Sequence, residues 1–400
     1  MNLDPTQQAA IDHAVTGPRL AIITGSAGTG KTTIIAQIAA RVKSPLLCAF
    51  AGKAAARLRE ATGHSASTIH RALGFDGEKF MTKSLRGRLV IIDEASMVSA
   101  DIMAAVIRCE PDRLILVGDE AQLPPVGHGQ PFHDLITQRP ALVYSLSICW
   151  RQSEAVYRAA TAIRNGQAPE RIEQSTSERW EIRATGSAED THAAILDMIR
   201  DGEIDFERGT DVVLCPRNGD GSDTPCSVRG LNASIVAIVN PREDADATLL
   251  PNDRVINTKN TPDLDIWNGT TGTVHSVDQD GHVTVELDAA TTEGETLVRL
   301  TKKQARSLQL AYALSVHKSQ GSQYRRVIFT ALERDAFMLL SRSLLYTAVT
   351  RTQKECLVIG QASAVANAIA SVRGKRTVIQ ELCRDLPAAT AAQQKHTTER

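Results

Sequence analysis

Apolar residues along the chain gather into short continuous runs, each closed by glycine, proline or a charged side chain. Leu20 to Ile23, Leu46 to Phe50, Leu89 to Ile92 and Leu114 to Val117 are four of them; Asp211 to Pro216, Val327 to Phe329 and Cys356 to Gly360 follow later. Runs of this length between turn residues predict strands covered on both faces, as in a parallel sheet. Between them the period lengthens. Leu3 to Ile11 opens with a capping pattern and becomes an amphipathic helix. Ile34 to Val42, a stretch closing at Arg164, Val228 to Val239 and Leu344 to Thr352 read as further helices. Strand–helix alternation of this kind predicts an α/β protein. Residues 250–305 break the rule: Arg254 to Thr258, Gly272 to Val277 and His282 to Leu287 alternate in polarity, which predicts a small antiparallel β unit set into the α/β pattern. Phe75-Asp76-Gly77-Glu78-Lys79-Phe80 carries a hairpin-turn dipeptide between two phenylalanines. Residues 173–190 are polar and show no period, and the tail beyond Pro387 has a disordered composition.

Four hundred residues exceed one ordinary core and imply two or three domains. The apolar share of 42% and the charged share of 23% are those of a globular protein. Net charge is −1, so any surface for a polyanion must be a local groove. Seven cysteines stand at 48, 109, 149, 215, 226, 356 and 383 with no CxxC pair, which predicts reduced thiols and no zinc site. There is no basic-then-apolar leader and no run near the ~18 residues of a membrane span. The expectation is a cytoplasmic protein with no membrane association.

Chemistry concentrates at Gly25-Ser26-Ala27-Gly28-Thr29-Gly30-Lys31-Thr32-Thr33, between a predicted strand and a predicted helix. That is the setting of a phosphate-binding loop: glycines turn the backbone so that its N–H groups and the helix N-terminus face an anion. Lys31 is placed for the β- and γ-phosphates and Thr32 for Mg²⁺. Asp93 and Glu94 end another buried run, where Asp93 suits the metal and Glu94 can take a proton from attacking water. Gln122, followed by Leu-Pro-Pro, could sense the γ-phosphate or simply sit in a proline-rich connector. Gln7 has an amide able to read an adenine edge, yet alone it reads as an exposed helical residue. Lys53, at a strand–helix junction, fits a polymer phosphate and a solvated surface about equally well.

In this order the motifs resemble those of superfamily 1 helicases of the RecD, Dda and TraI group, over about residues 3–365. LDPTQQAA resembles the Q motif, GSAGTGKTT motif I, GKAA with TIHR the Ia and Ib region, and IIDEASM motif II. VGDEAQLPPVG resembles motif III, WRQ motif IV, SVHKSQGSQ motif V and YTAVTRTQ motif VI. The resemblance implies two RecA-like P-loop NTPase cores: residues 1–138, with a short pin hairpin at 75–86, and residues 139–249 with 306–372. It also implies an SH3-like β subdomain at 250–305, with 373–400 left as a C-terminal helix and disordered tail. ATP and Mg²⁺ would lie between the cores. Gln7 and Gln323 would join residues 25–33 in holding the nucleotide, and Gln122, Arg151 and Arg351 would contact the γ-phosphate. Lys53, Thr68 and His70 would face single-stranded DNA, and Ser315, His317 and Lys318 would bind that DNA or lie near the nucleotide cleft. The implied activity is 5′-to-3′ unwinding by a monomer acting on single strands and duplex junctions, with replication or repair proteins as partners. The alternative is a DNA-stimulated ATPase switch, or a RecD-like subunit of a recombination complex. Two positions depart from the pattern: Phe50-Ala51 stands where the group has Pro-Thr, and Gln323 where it often has Glu.

Overall fold

The computed structural model describes residues 3–148, 152–175, 178–219, 225–242, 249–291, 294–336 and 338–374. Its first core is an all-parallel sheet of β1 (Leu20–Gly25), β2 (Leu46–Ala49), β3 (Ala66–Thr68), β4 (Leu89–Asp93), β5 (Arg113–Gly118) and β6 (Val143–Leu146), in the order β3-β2-β4-β5-β1-β6. The apolar runs are the strands, because each is buried on both faces. Ala10, Ile11, Ile35, Ile38 and Leu58 of α1 (Pro5–Thr16), α2 (Lys31–Arg41) and α3 (Gly52–Thr62) cover one face. Ile69, Met103, Val106 and Phe132 of α4 (Ile69–Ala72), α5 (Ala100–Arg108) and α6 (Pro131–Gln138) cover the other. Because β6 pairs with β1, the first core runs past the expected boundary at 138 to Leu146.

The chain next lays down α7 (Glu154–Arg164), β7 (Ile172–Ser175), β8 (Glu178–Ala184), α8 (Ala188–Arg200), β9 (Asp211–Cys215) and α9 (Val228–Val239). It then leaves for an antiparallel insert of β10 (Arg254–Asn257), β11 (Thr271–Val277), β12 (Val283–Leu287), β13 (Leu297–Leu300), α10 (Lys302–Ala305) and β14 (Leu308–Leu310). It returns as β15 (Ala313–Ser315), β16 (Tyr324–Ala331), α11 (Glu333–Ala336), α12 (Arg342–Val349), β17 (Thr352–Gly360) and α13 (Ala362–Ala370). The second core's sheet is ordered β15-β9-β16-β17-β8-β7, parallel except for β7.

Three expectations need correcting. The polar stretch 173–190 contains the rest of β7 and all of β8, in which buried Trp180 alternates with Arg179 and Glu181; Arg179 bonds Glu355 on the adjoining strand, so charge there is paired within the sheet. The insert, packed around Val255, Ile266, Val274, Val285 and Leu300, closes at Leu310 rather than 305, since β14 pairs with β10. Helix α12 stops at Val349, and Arg351 lies just before β17. The expected pin is a turn closed by one bridge, Phe75 to Phe80, with Asp76 accepting from the amides of Glu78 and Lys79 at 2.9 Å each. The expected helix and tail beyond residue 374 fall outside the described residues. No helix among the described residues is long and apolar enough to cross a membrane.

Candidate nucleotide cleft and nucleic-acid face

The glycine-rich turn joins β1 to α2 at the carboxyl edge of the first sheet. Gly28 (φ 83°) and Gly30 (φ 84°) occupy the left-handed region, and a Cβ on Gly25 would stand 2.6 Å from the Thr29 hydroxyl. The loop holds its own shape: Thr29 Oγ1 donates to Ser26 O at 2.8 Å, and Lys31 Nζ donates to the carbonyls of Gly25 (2.8 Å) and Ser26 (2.9 Å). Gln7 braces it from the α1 side, Oε1 accepting from Asp4 N at 3.1 Å and Nε2 donating to Thr29 O at 3.4 Å. Both ends of the amide expected to read adenine are thus engaged within the protein, and Gln7 here supports the loop.

Asp93 ends β4, and Glu94 turns the chain away at φ 51°, a strained conformation for a residue with a side chain. Burial and the neighbouring Glu94 charge raise the Asp93 carboxyl to about 6, with Lys31 and Arg57 opposing. Glu94 Oε2 is buried with no partner among the described residues. Two crowded carboxylates beside the Thr32 hydroxyl make a hard-oxygen donor set that fits Mg²⁺.

Ala27, Gly28, Gly30, Lys31, Thr32, Asp93, Glu94 and Gln122 of the first core meet Gln323 and Arg351 of the second around a cleft of about 50 Å³. Arg351 is 3% exposed; burial pulls its pKa below the ordinary guanidinium value, Glu94 opposes that, and Arg57 adds to it. Arg57, not singled out in the sequence, lines the same cleft and reaches across it to Gly321 O at 2.8 Å. A cation one turn beyond Lys53 on the same helix was the available signal. Other expected nucleotide residues stand off the wall: Gly25 and Ser26 border a neighbouring cavity, Thr29 is buried and Thr33 is half-buried in α2. Arg151 lies outside the described residues.

The expected DNA residues divide. Lys53 points into the insert, Nζ donating to Thr271 Oγ1 at 2.9 Å, and burial pulls its pKa down to about 8. Trp267 of the insert covers Gly52, where a Cβ would stand 2.3 Å from the indole's own Cβ; Arg71 lies 5.6 Å over the indole and Arg59 pairs with Asp265 at 3.3 Å. Thr68 caps α4 by accepting from Arg71 N at 3.2 Å. His70 sits among Phe50, Phe75 and Phe80, with ring centres 6.2, 5.3 and 5.8 Å away. Ser315 is 4% exposed, and its hydroxyl accepts from Lys318 N at 3.4 Å, which shapes the turn. His317 is exposed on that turn, and Lys318 is half-buried, donating to Gln309 Oε1 at 3.1 Å.

Two RecA-like cores with one P-loop, a carboxylate pair opposite it and an arginine entering from the second core define a P-loop nucleotide site shared between two cores. Residues 2–185 match the family described as an AAA domain, and residues 310–359 the UvrD-like helicase C-terminal domain. The chain is 34% identical over 386 residues to the ATP-dependent RecD2 DNA helicase of Deinococcus radiodurans, covering 92% of this chain and 51% of that protein. It is 30% identical over 416 residues to the RecBCD enzyme subunit RecD of Mycolicibacterium smegmatis, covering 91% of this chain and 72% of that subunit. It belongs to the RecD-like family of superfamily 1 helicases. It spans about half the length of the first relative. A Pif1 helicase solved for unwinding at forked duplex DNA shares the fold, with TM-score 0.60 at 18% identity over 96% of the chain, and that of Candida albicans does so at 0.57.

Proposed function

We propose that the chain is an ATP-dependent DNA helicase that tracks 5′ to 3′ along single-stranded DNA and separates duplex strands. The observation that carries this reading is the composite cleft: phosphate loop and carboxylates from one core, Arg351 and Gln323 from the other. A site built this way ties the state of the nucleotide to the spacing of the two cores. Lys31 leaves its loop carbonyls for the β- and γ-phosphates, Glu94 takes the proton of the attacking water, and Arg351 stabilises charge on the transferring phosphoryl group. Thr32 and Asp93 would hold Mg²⁺, which neutralises phosphate charge. Arg151 joins Arg351 on this reading. Phe50, His70 and the pin phenylalanines offer stacking surface where the relatives' Thr hydroxyl is absent, and His317 and Lys318 lie on the second core's side of the path; such grip is independent of sequence. Direction follows the RecD-like branch, and the working form is a monomer in the cytoplasm, serving replication or repair partners.

The test is unwinding of two partial duplexes, one with a 5′ and one with a 3′ single-stranded tail. Opening of the 5′-tailed substrate alone is expected. Opening of the 3′-tailed one alone overturns the direction. DNA-stimulated hydrolysis with neither opened favours the switch or a subunit of a larger complex, a reading to which the one-bridge pin lends weight.

A further inference from the structure

Asp119 follows β5 directly and is completely buried, yet no motif-based role falls to it. Its carboxylate gathers three donors. Oδ1 accepts from Ala121 N at 3.1 Å; Oδ2 accepts from Gln122 Nε2 at 3.3 Å and from the Tyr346 hydroxyl at 2.8 Å. Tyr346 belongs to α12 of the second core, and the next residue, Thr347, accepts from Leu123 N at 2.9 Å through its hydroxyl. The segment after β5 is therefore pinned to α12 at two successive side chains. Arg351, two residues beyond that helix, is tied back to it, its Nε donating to Thr347 O at 3.3 Å.

A carboxylate only accepts hydrogen bonds, so the Gln122 amide has one orientation here: nitrogen toward Asp119, oxygen away. That oxygen, Oε1, is buried and without a partner among the described residues, and Gln122 lines the nucleotide cleft. An amide oxygen repels phosphate oxygens, since both carry only lone pairs. It accepts readily from water. We infer that Asp119 and Tyr346 are positioning residues that turn the Gln122 carbonyl into the cleft, so that Gln122 orients the attacking water and does not bind the γ-phosphate. Glu94, whose Oε2 is likewise buried and unpartnered, lines the same cleft and accepts the water's other proton. Because Tyr346 comes from the second core, the full set of bonds that holds Asp119 under the amide forms only when the cores are apposed. The inference rests on the ATPase reading above.

The experiment is a double-mutant cycle on ATP turnover with saturating single-stranded DNA. Asp119→Ala is expected to lower kcat about tenfold with KM for ATP changed less than about threefold, because water alignment matters only in the transition state. Tyr346→Phe, which deletes one oxygen, is expected to lower kcat about threefold and to remain folded, covering the case that Asp119→Ala does not fold. In a Gln122→Ala background, neither substitution should cost more than about a further twofold. Losses that multiply independently of Gln122, or a rise in KM with kcat intact, overturn the inference. Absence of any hydrolysis by the unsubstituted chain overturns the ATPase reading instead.

Discussion

The two cores are built on the same plan and keep their charge at opposite ends of their strands. In the first, Asp93, Glu94 and Asp119 lie at or just beyond the carboxyl ends of β4 and β5, and burial raises the carboxyls of Asp93 and Asp119. In the second, Asp211 opens β9 and Glu355 lies in the first half of β17, both buried and bridged by Arg326, which reaches Glu355 at 2.6 Å and Asp211 at 3.4 Å. Glu94 of the first set keeps a buried oxygen without a partner among the described residues and lines the cleft, whereas Asp211 and Glu355 are ion-paired and hold a sheet together. After β1 the chain makes its glycine-rich turn, whereas after β9 it runs into Pro216-Arg217-Asn218. Shared architecture therefore does not make a nucleotide site. Turn chemistry at one strand end does.

The contrast can be broken most sharply at Lys31. Lys31→Ala should reduce ATP hydrolysis by about a thousandfold or more while the melting temperature stays within a few degrees, because the lysine acts on phosphate and its bonds to loop carbonyls are minor. Arg326→Ala should do the reverse. Removing the guanidinium that bridges two buried carboxylates, which keep Arg325 and Arg179 as partners, costs about 1–3 kcal/mol of unfolding free energy by denaturant titration, with kcat near normal. A large kcat loss there, or a large stability loss at Lys31, would erase the distinction between the two ends.

Smaller effects probe the insert, which joins the two regions. Trp267→Ala should lower stability by about 1–3 kcal/mol and expose the insert to protease, as the indole is what fills the space over Gly52. Lys53 adds a pH dependence. Its docked pKa of about 8 lies below its ordinary 10.5, so below pH 8 both docked and free forms are charged and docking is weakest. Between the two values the free form binds more protons, and docking strengthens as pH rises toward 10.5. Lys53→Met should flatten that rise in thermal melts across this window.

What could be read in the sequence was local. Gly25 to Thr33, Asp93 and Glu94 are legible because strand, turn and helix follow one another within a few residues, so spacing alone fixes their geometry. Arg57, Asp119 and Tyr346 were not, since their significance lies in contacts between distant segments; Asp119 and Tyr346 are 227 positions apart. The boundary at 138 failed for a related reason: Leu142-Val143-Tyr144 announces a strand but not the sheet it joins. The Ser315 bond to Lys318 N was not legible, because a hydroxyl in a motif looks the same whether it faces a strand of DNA or a backbone amide.

The docking of Trp267 on Gly52 also sets how the molecule can move. The insert is covalently part of the second core, yet it rests on the first, while α12 grips the segment after β5 some distance away. Two bodies coupled at the insert, at α12 and through Arg57 to Gly321 are held against swinging apart on one hinge. The arrangement is that of a closed linkage: on the proposed ATPase reading, opening the nucleotide cleft would slide or tilt the insert across α3. On that reading, the throw of an ATP cycle would be set by the lever arm between these attachments as much as by the cleft itself.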